Sequence, residues 1–366
     1  MTLLAPLIVH RCQASSTSAS ARFRIGRKTS VVRFDGVAPD GRTAGEAFVS
    51  LARVLTMRSG RMVASTHPVS RECRRRSDAY AAAALALFPR TQHPVSLLAL
   101  LRRRIVNAPR KRRVAAFFSG GVDSLDLLLQ HADTIDDLVF VRGFDVPLED
   151  TSRTGEVMRP VRAMAEAAGK PLLVVETNLR AFSDAHADWT WFVYGGLIGT
   201  SILLARTHRL VLCAASVADR HLPPEVARLR SVAFGNDLVE MRLARTSATR
   251  IEKIQAIADA GIARDTLRVC WQNVPGTVNC GRCAKCIRTM VGFAALGRVD
   301  ETRAFPVALD LKAVAAQAAV TRSDRAFLLE NLEAARSNGV TALAHALQTA
   351  LDTGPPSAET CCQIRP

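Results

Sequence analysis

Val114-Ala-Ala-Phe-Phe-Ser119-Gly120-Gly121-Val122-Asp123-Ser124-Leu-Asp-Leu-Leu-Leu129 is the stretch whose reading decides the fold. Residues 114–118 are an apolar run with the length and bulk of a buried strand. A tight Ser119-Gly120-Gly121 turn follows. Apolar residues then recur as on a helix, at Val122, Leu125, Leu128 and Leu129. Two glycines let the backbone turn sharply and approach a ligand closely. The N–H groups of the first helical turn are free to bind an anion, with the positive end of the helix dipole behind them. Ser119 and Ser124 add hydroxyl donors. Asp123 is acidic and should not face phosphate bare; a bridging magnesium would reconcile the two.

The commoner phosphate loop, Gly-x-x-x-x-Gly-Lys-Ser/Thr, is excluded. The chain's one Gly-Lys pair, Gly169-Lys170, is followed by Pro171 and has no glycine at the required upstream position. Ser119, Gly120, Gly121, Val122, Asp123 and Ser124 instead resemble the Ser-Gly-Gly-x-Asp-Ser loop of the ATP pyrophosphatase (PP-loop) superfamily. The resemblance implies that ATP is bound with its β- and γ-phosphates on the loop, that chemistry occurs at the α-phosphate, and that the products are AMP and pyrophosphate.

Charge is unevenly placed. The 366 residues carry a net charge of +16, yet residues 1–113 hold 22 Lys and Arg against 5 Asp and Glu, and the remainder holds 27 against 28. The arginine clusters at 74–76, 102–104 and 110–113 offer a surface for RNA, phosphate or an acidic partner. The plain alternative is a solvated basic face, and the scarcity of aromatics there gives no stacking platform for bases. Nine cysteines, an odd number and clustered, point to a reducing compartment and a cytoplasmic protein. Residues 1–29 read as a disordered leader rather than a secretory signal. Residues 189–205 carry no formal charge but are shorter than the ~20 a membrane span needs; they read as a buried helix, and no membrane association is expected.

Residues 30–110 read as a small α+β module: strand 30–34, helix 44–55, strand 61–65, helix 70–88 and strand 95–101. From residue 111 to 300 strand and helix alternate, the mark of an α/β, doubly wound parallel sheet. Its further elements are strand 137–141, helix 155–168, strand 171–176, helix 189–206, strand 209–214 and a helix from Thr249 to 260. Residues 301–354 read as C-terminal helices and 355–366, with Cys361 and Cys362, as a disordered tail. In such sheets ligands sit at the carboxyl ends of the strands. That makes Asp145 a candidate for the ribose or adenine amino group, with a turn carboxylate as the alternative. Asn178, Arg180, Ser216 and Asp219 are substrate candidates on the same ground, with a structural role as the alternative for each. Arg250 and Lys253 share a helical face and could supply positive charge to a phosphorus gaining negative charge. With Asp123 they are the catalytic candidates; a solvated helix end is the alternative.

Cys280-Gly-Arg-Cys283-Ala-Lys-Cys286 sets three thiols at two-residue gaps, with Cys270 nine residues upstream. Four such thiolates suit tetrahedral, structural zinc; three or four cysteines also hold iron–sulfur clusters, which is the alternative. A PP-loop followed by this cysteine spacing is similar to the 7-cyano-7-deazaguanine synthase family, which uses ATP to activate a carboxylate for attack by ammonia. Segments 117–123, 143–145, 177–180, 250–253, 267–270 and 279–290 look more like a poorly characterised bacterial group related to that family, often encoded beside surface-sugar or natural-product genes. The resemblance covers residues 114–297 and implies an adenine nucleotide alpha hydrolase-like fold. Tyr194 stands where that group would have a histidine, and 231–237 replace a Gly-Ser-His-Pro type of stretch.

The expected activity is ATP-dependent adenylation of a carboxylate or amide oxygen of a small molecule, then attack by a nitrogen nucleophile. Two rivals are a tRNA-modifying sulfur transferase using an iron–sulfur site and a non-catalytic nucleotide-binding protein.

Overall fold

The computed structural model describes residues 4–87, 92–105, 111–262, 265–319 and 321–353. In chain order the strands are β1 (Leu7–Ala14), β2 (Ser18–Ile25), β3 (Lys28–Asp35), β4 (Val63–Ser65), β5 (Val69–Ser70), β6 (Leu97–Leu98), β7 (Leu101–Arg102), β8 (Arg113–Phe117), β9 (Asp137–Arg142), β10 (Leu172–Thr177), β11 (His208–Ala214), β12 (Phe234–Gly235) and β13 (Glu240–Ala244). The helices are α1 (Ala44–Thr56), α2 (Arg71–Leu87), α3 (Val122–Gln130), α4 (Thr151–Ala167), α5 (Leu179–Ser183), α6 (Trp189–Leu203), α7 (Pro224–Arg230), α8 (Arg250–Ala260), α9 (Ala284–Ala295), α10 (Leu311–Ala315), α11 (Arg322–Ser337) and α12 (Thr341–Asp352).

One mostly parallel sheet of eleven strands runs through the molecule in the order β12-β13-β11-β8-β9-β10-β3-β2-β1-β4-β6. Its five middle strands, β13-β11-β8-β9-β10, are all mutually parallel. Counted along the chain they lie in the order 5-4-1-2-3, so the direction of winding reverses between β8 and β11. That order is compatible with a doubly wound fold. Residues of β8 alternate between two cores, as a strand covered on both faces requires. Ala115 and Phe117 join α1 and α6 on one side; Val114 and Ala116 join α3, α4 and α8 on the other. The reading of 189–205 as a buried helix holds: α6 lies against α1. A Cβ on Gly199 would stand 2.9 Å from Leu51 Cδ2, and one on Gly195 3.2 Å from Val54 Cβ. Among the described residues no helix is long and apolar enough to cross a membrane.

The N-terminal part departs from expectation. The supposed leader supplies β1 and β2, paired antiparallel with each other and with β3. Its inward residues are Leu7, Val9, Ala19, Ala21 and Phe23; the small Ala and Ser side chains hide the two-residue period. Nor is 30–110 a separate module. Strand β3 pairs antiparallel with β10, Thr177 opposite Phe34, and α1 shares a single core with α6. The expected strand 95–101 is two two-residue strands, β6 and β7.

Strands β12 and β13 were not foreseen. They occupy the stretch around 231–237 and are held by N-terminal residues. Arg102 pairs with Glu46 (2.8 Å) and with Asp237, and Arg76 donates to Phe234 O (2.8 Å). Arg112 reaches the carbonyls of Ala205 (3.2 Å) and Leu238, and Arg113 pairs with Asp137. Each arginine cluster therefore spends charge on internal contacts. The C-terminal helices form as read, and α10, α11 and α12 build a third core with Val291 and Ala295 of α9. Residues 354–366, with Cys361 and Cys362, lie outside the described residues.

Candidate functional site

The glycine loop sits at the carboxyl end of β8, next to the reversal. Gly120 has φ 75°, in the left-handed region, and a Cβ there would lie 2.6 Å from Met164 Cε. Gly121 precedes α3 in extended conformation, and its Cβ would lie 3.2 Å from Arg268 O. A side chain is thus strained at Gly120 by its backbone conformation and crowded at Gly121. Ser124 Oγ donates to Gly121 O (3.1 Å) and accepts from Ser119 N–H (3.3 Å), closing the loop on itself. Val122, Asp123 and Ser124 are the first turn of α3, whose N–H groups the helix cannot use internally.

Across the reversal, α8 brings two cations to Asp123. Its first turn is fixed by a capping box, Thr249 with Glu252. Arg250 Nη1 donates to Asp123 Oδ2 (2.8 Å) and Lys253 Nζ to Asp123 Oδ1 (2.9 Å). Lys253 is fully buried and also donates to Ala215 O, just past β11. Burial works against ionisation of Asp123, but the charges of Arg250 and Lys253 outweigh it and hold the carboxyl below the usual carboxylate range. The acid that the sequence leaves facing phosphate is therefore matched by two protein cations, so charge balance does not itself call for a bridging magnesium.

The remaining candidates are dispersed. Asp145 is half-exposed, its carboxylate 3.4 Å from Arg268 Nη2 and its carbonyl accepting from Asn273 Nδ2 (2.7 Å). It helps line a shallow cleft with Val141, Val146, Thr154 and Val157. Asn178 is spent on the sheet: its amide donates to Val31 O (2.9 Å) and accepts from Arg33 N–H (2.9 Å). Arg180 donates to Phe144 O (2.6 Å) and lies over the Trp189 ring. Asp219 pairs with Arg230 (2.7 Å), and Ser216 is half-buried beyond β11. Tyr194 is half-buried, and loss of solvent around its hydroxyl pushes that group's pKa up.

Three charged groups at the site were not read from the sequence. Glu330 of α11 accepts the N–H of Arg250 (2.8 Å). Arg288 of α9 stacks on Phe327 and pairs with Asp324 (2.8 Å); burial, then the nearby Arg250 charge, lowers it to about 10. Arg268 lies along the loop. No local pattern marks these contacts, which span 36 to 149 residues of chain.

The cysteine set does converge. The sulfurs of Cys270, Cys280, Cys283 and Cys286 all lie within 4.8 Å of one another, with Cys270–Cys283 and Cys280–Cys286 at 3.9 Å. Zinc–sulfur bonds of about 2.3 Å put tetrahedral sulfurs roughly 3.8 Å apart, so the four fit a metal ion. Gly281 has φ 71°, and a Cβ there would meet Val307 Cγ2 at 2.3 Å. Backbone N–H groups of Gln272 and Cys283 point at Cys270 Sγ (3.4 Å) and Cys280 Sγ (3.3 Å). Asn279 fastens the segment that leads to Cys270. Its Oδ1 accepts from Val269 N (2.9 Å) and Cys270 N (3.1 Å), and its Nδ2 donates to Leu267 O (2.7 Å). Among the described residues this is the one grouping of three or more potential metal ligands. No protein-family model matches the chain, and neither does any curated protein.

Proposed function

We propose that the protein is an ATP-dependent ligase of the PP-loop superfamily, with an adenine nucleotide alpha hydrolase-like fold. The observation that carries the reading is the meeting of a glycine loop, a helix N-terminus and two converging cations at one strand reversal. Arg250 and Lys253 reach Asp123 from α8 (2.8 and 2.9 Å) directly above the loop's first helical turn. A single acid shared by a buried lysine and an arginine leaves one net positive charge at that turn, on top of the helix dipole.

The pyrophosphate end of ATP binds the N–H groups of residues 120–124 and the hydroxyls of Ser119 and Ser124. Mg2+ enters with the nucleotide, whose phosphates supply most of its ligands. A carboxylate oxygen of the substrate attacks the α-phosphorus, and the bond from that phosphorus to the bridging oxygen of pyrophosphate breaks. Arg250 and Lys253 stabilise the charge that accumulates on the five-coordinate phosphorus. A nitrogen nucleophile then attacks the acyl carbon, loses a proton, and AMP departs with the former carboxylate oxygen. The four cysteines would hold zinc as a closed structural centre, a cross-link between the 267–270 segment and α9.

The test is AMP and pyrophosphate release in a screen of small carboxylic acids with ammonia or glutamine, alongside metal and iron analysis of anaerobically purified protein. Release that depends on one acid and vanishes in Ser119→Ala/Asp123→Ala, with about one zinc per colourless chain, is the expected outcome. Turnover that survives in the double variant would sink the assignment. A brown, iron- and sulfide-containing protein would redirect it to sulfur transfer on tRNA.

A further inference from the structure

Arg268 is a buried charge held by long contacts. Its side chain is 3% exposed. Its two acceptors, Ser119 O and Asp145 Oδ2, both stand at 3.4 Å. Its Nε finds no partner among the described residues. A cation removed from water is stabilised by short hydrogen bonds, and these contacts are long. Arg153, equally buried, shows the contrast, with donations to Thr277 O (2.6 Å) and Glu156 (2.7 Å).

The backbone of Arg268 is laid against the glycine loop. Its N–H donates to Gly120 O (2.9 Å), and its carbonyl is the atom that a Cβ on Gly121 would strike. The guanidinium therefore reaches from the end of β8 towards the end of β9, across the side of the crevice opposite Lys253. Asp145, its one ion-pair partner among the described residues, is half-exposed at 47% and contributes little at that distance.

We propose that Arg268 is a phosphate-binding residue of this nucleotide site, positioned by the four-cysteine centre; the inference rests on the ATP reading above. A phosphate oxygen pair supplies the short bidentate acceptors that the guanidinium lacks. Arg268 lies two residues before Cys270, and Asn279, one residue before Cys280, binds the backbone on both sides of it, at Leu267 and Val269. The metal ligands and the phosphate cation thus share one rigid segment. The competing role for Arg268 is balancing the negative charge of the thiolates.

The experiment uses the full chain with Arg268→Met, which nearly conserves buried volume, and Arg268→Lys, which keeps charge but loses the fork. Mg-ATP affinity is measured by calorimetry, with metal content and the nucleotide-free melting temperature measured on the same samples. The expected result is at least a tenfold rise in Kd for Arg268→Met, with one metal per chain retained and no loss of nucleotide-free melting temperature. Arg268→Lys falls between this variant and the native protein, and carries the test if Arg268→Met does not fold. Native Kd in either variant overturns the inference. Loss of metal in parallel with loss of ATP affinity also overturns it, assigning Arg268 to the thiolates. Failure of the native chain to bind Mg-ATP overturns the ATP reading and this inference together, and is seen before any variant is made.

Discussion

Lys253 joins two strand ends that the chain separates by about a hundred residues. Its buried ammonium donates to Asp123 Oδ1 (2.9 Å) beyond β8 and to Ala215 O beyond β11. These are the two strands between which the winding of the sheet reverses, where open α/β sheets place their ligands. A lysine with no solvent contact is expensive to keep charged; Asp123 and the Ala215 carbonyl compensate it in place.

Lys253→Met should therefore separate chemistry from folding. Removing the ammonium leaves Asp123 still paired with Arg250 at 2.8 Å, so the fold should survive with a loss of about 1–3 kcal/mol. AMP release should fall at least roughly a hundredfold, the scale of losing one electrostatic donor at a developing charge. Urea unfolding and single-turnover AMP formation measure the two effects. Turnover within a few-fold of native would show that Lys253 only braces the crevice.

Asp123 sets an acid limb of stability. Folding lowers its pKa, because Arg250 and Lys253 outweigh the cost of burial. Its contribution is then complete above the unfolded value of about 3.9 and fades as pH falls through the lower folded value. Asp123→Asn should be less stable than native by about 3 kcal/mol at pH 7, with the gap closing below about pH 4. Denaturant melts of both proteins between pH 2.5 and 7 test this. A pH-independent gap would mean that shape rather than charge is lost.

The parts of the site that were legible were those whose residue types admit few alternatives. Gly120 sits in the left-handed region that favours glycine and Gly121 lies close against Arg268 O, and four cysteines at fixed gaps meet as the spacing implies. Strand β2 was illegible because Ala19 and Ala21, though buried at 2% and 1%, look like a small-residue linker. The substrate candidates show a different limit. A strand's carboxyl end marks where ligands can sit, but a neighbouring strand can claim the same residue, as β3 claims Asn178. Arg268, Arg288 and Glu330 have no local signal, since tertiary packing alone brings them to the loop and to α8.

Asn178→Ala tests that reassignment. The side chain bridges β10 to β3 through two hydrogen bonds of 2.9 Å, and their loss should cost about 1–3 kcal/mol. Turnover per folded molecule should be unchanged. A rise in KM for the acid substrate with native stability would return Asn178 to the substrate site.

Removal of the metal should be felt at both ends of the 267–286 segment. Cys286 is fully buried in the first turn of α9, so Cys286→Ser removes one ligand without adding bulk. Metal content should fall below one per chain, because three thiolates and a hydroxyl bind zinc far more weakly than four thiolates. The melting temperature should drop by several degrees, and Mg-ATP affinity should fall with it. Native stability with metal absent would show that the four cysteines do not stabilise the fold through metal.

Glu330 ties the C-terminal helices to α8 and the candidate site. From α11 it accepts the N–H of Arg250 (2.8 Å), the first residue of α8, and its other oxygen stands 2.8 Å from His221 Nε2. An acid at the positive end of α8 is favourable, yet burial raises the pKa of Glu330, with the Arg250 N–H and His221 pulling it back. A raised carboxyl pKa means that its contribution is complete below the unfolded value and declines as pH rises through the folded one. Glu330→Gln keeps an oxygen for Arg250 N–H and removes the charge, so its cost should be small and should shrink further towards pH 8. Glu330→Ala leaves that N–H without its acceptor at a buried helix end and should cost about 1–3 kcal/mol. If the cap also aims Arg250 at the phosphate, AMP release should fall in the alanine variant and return in the glutamine variant. Equal losses of activity in both would give the charge of Glu330, rather than its grip on α8, the functional part.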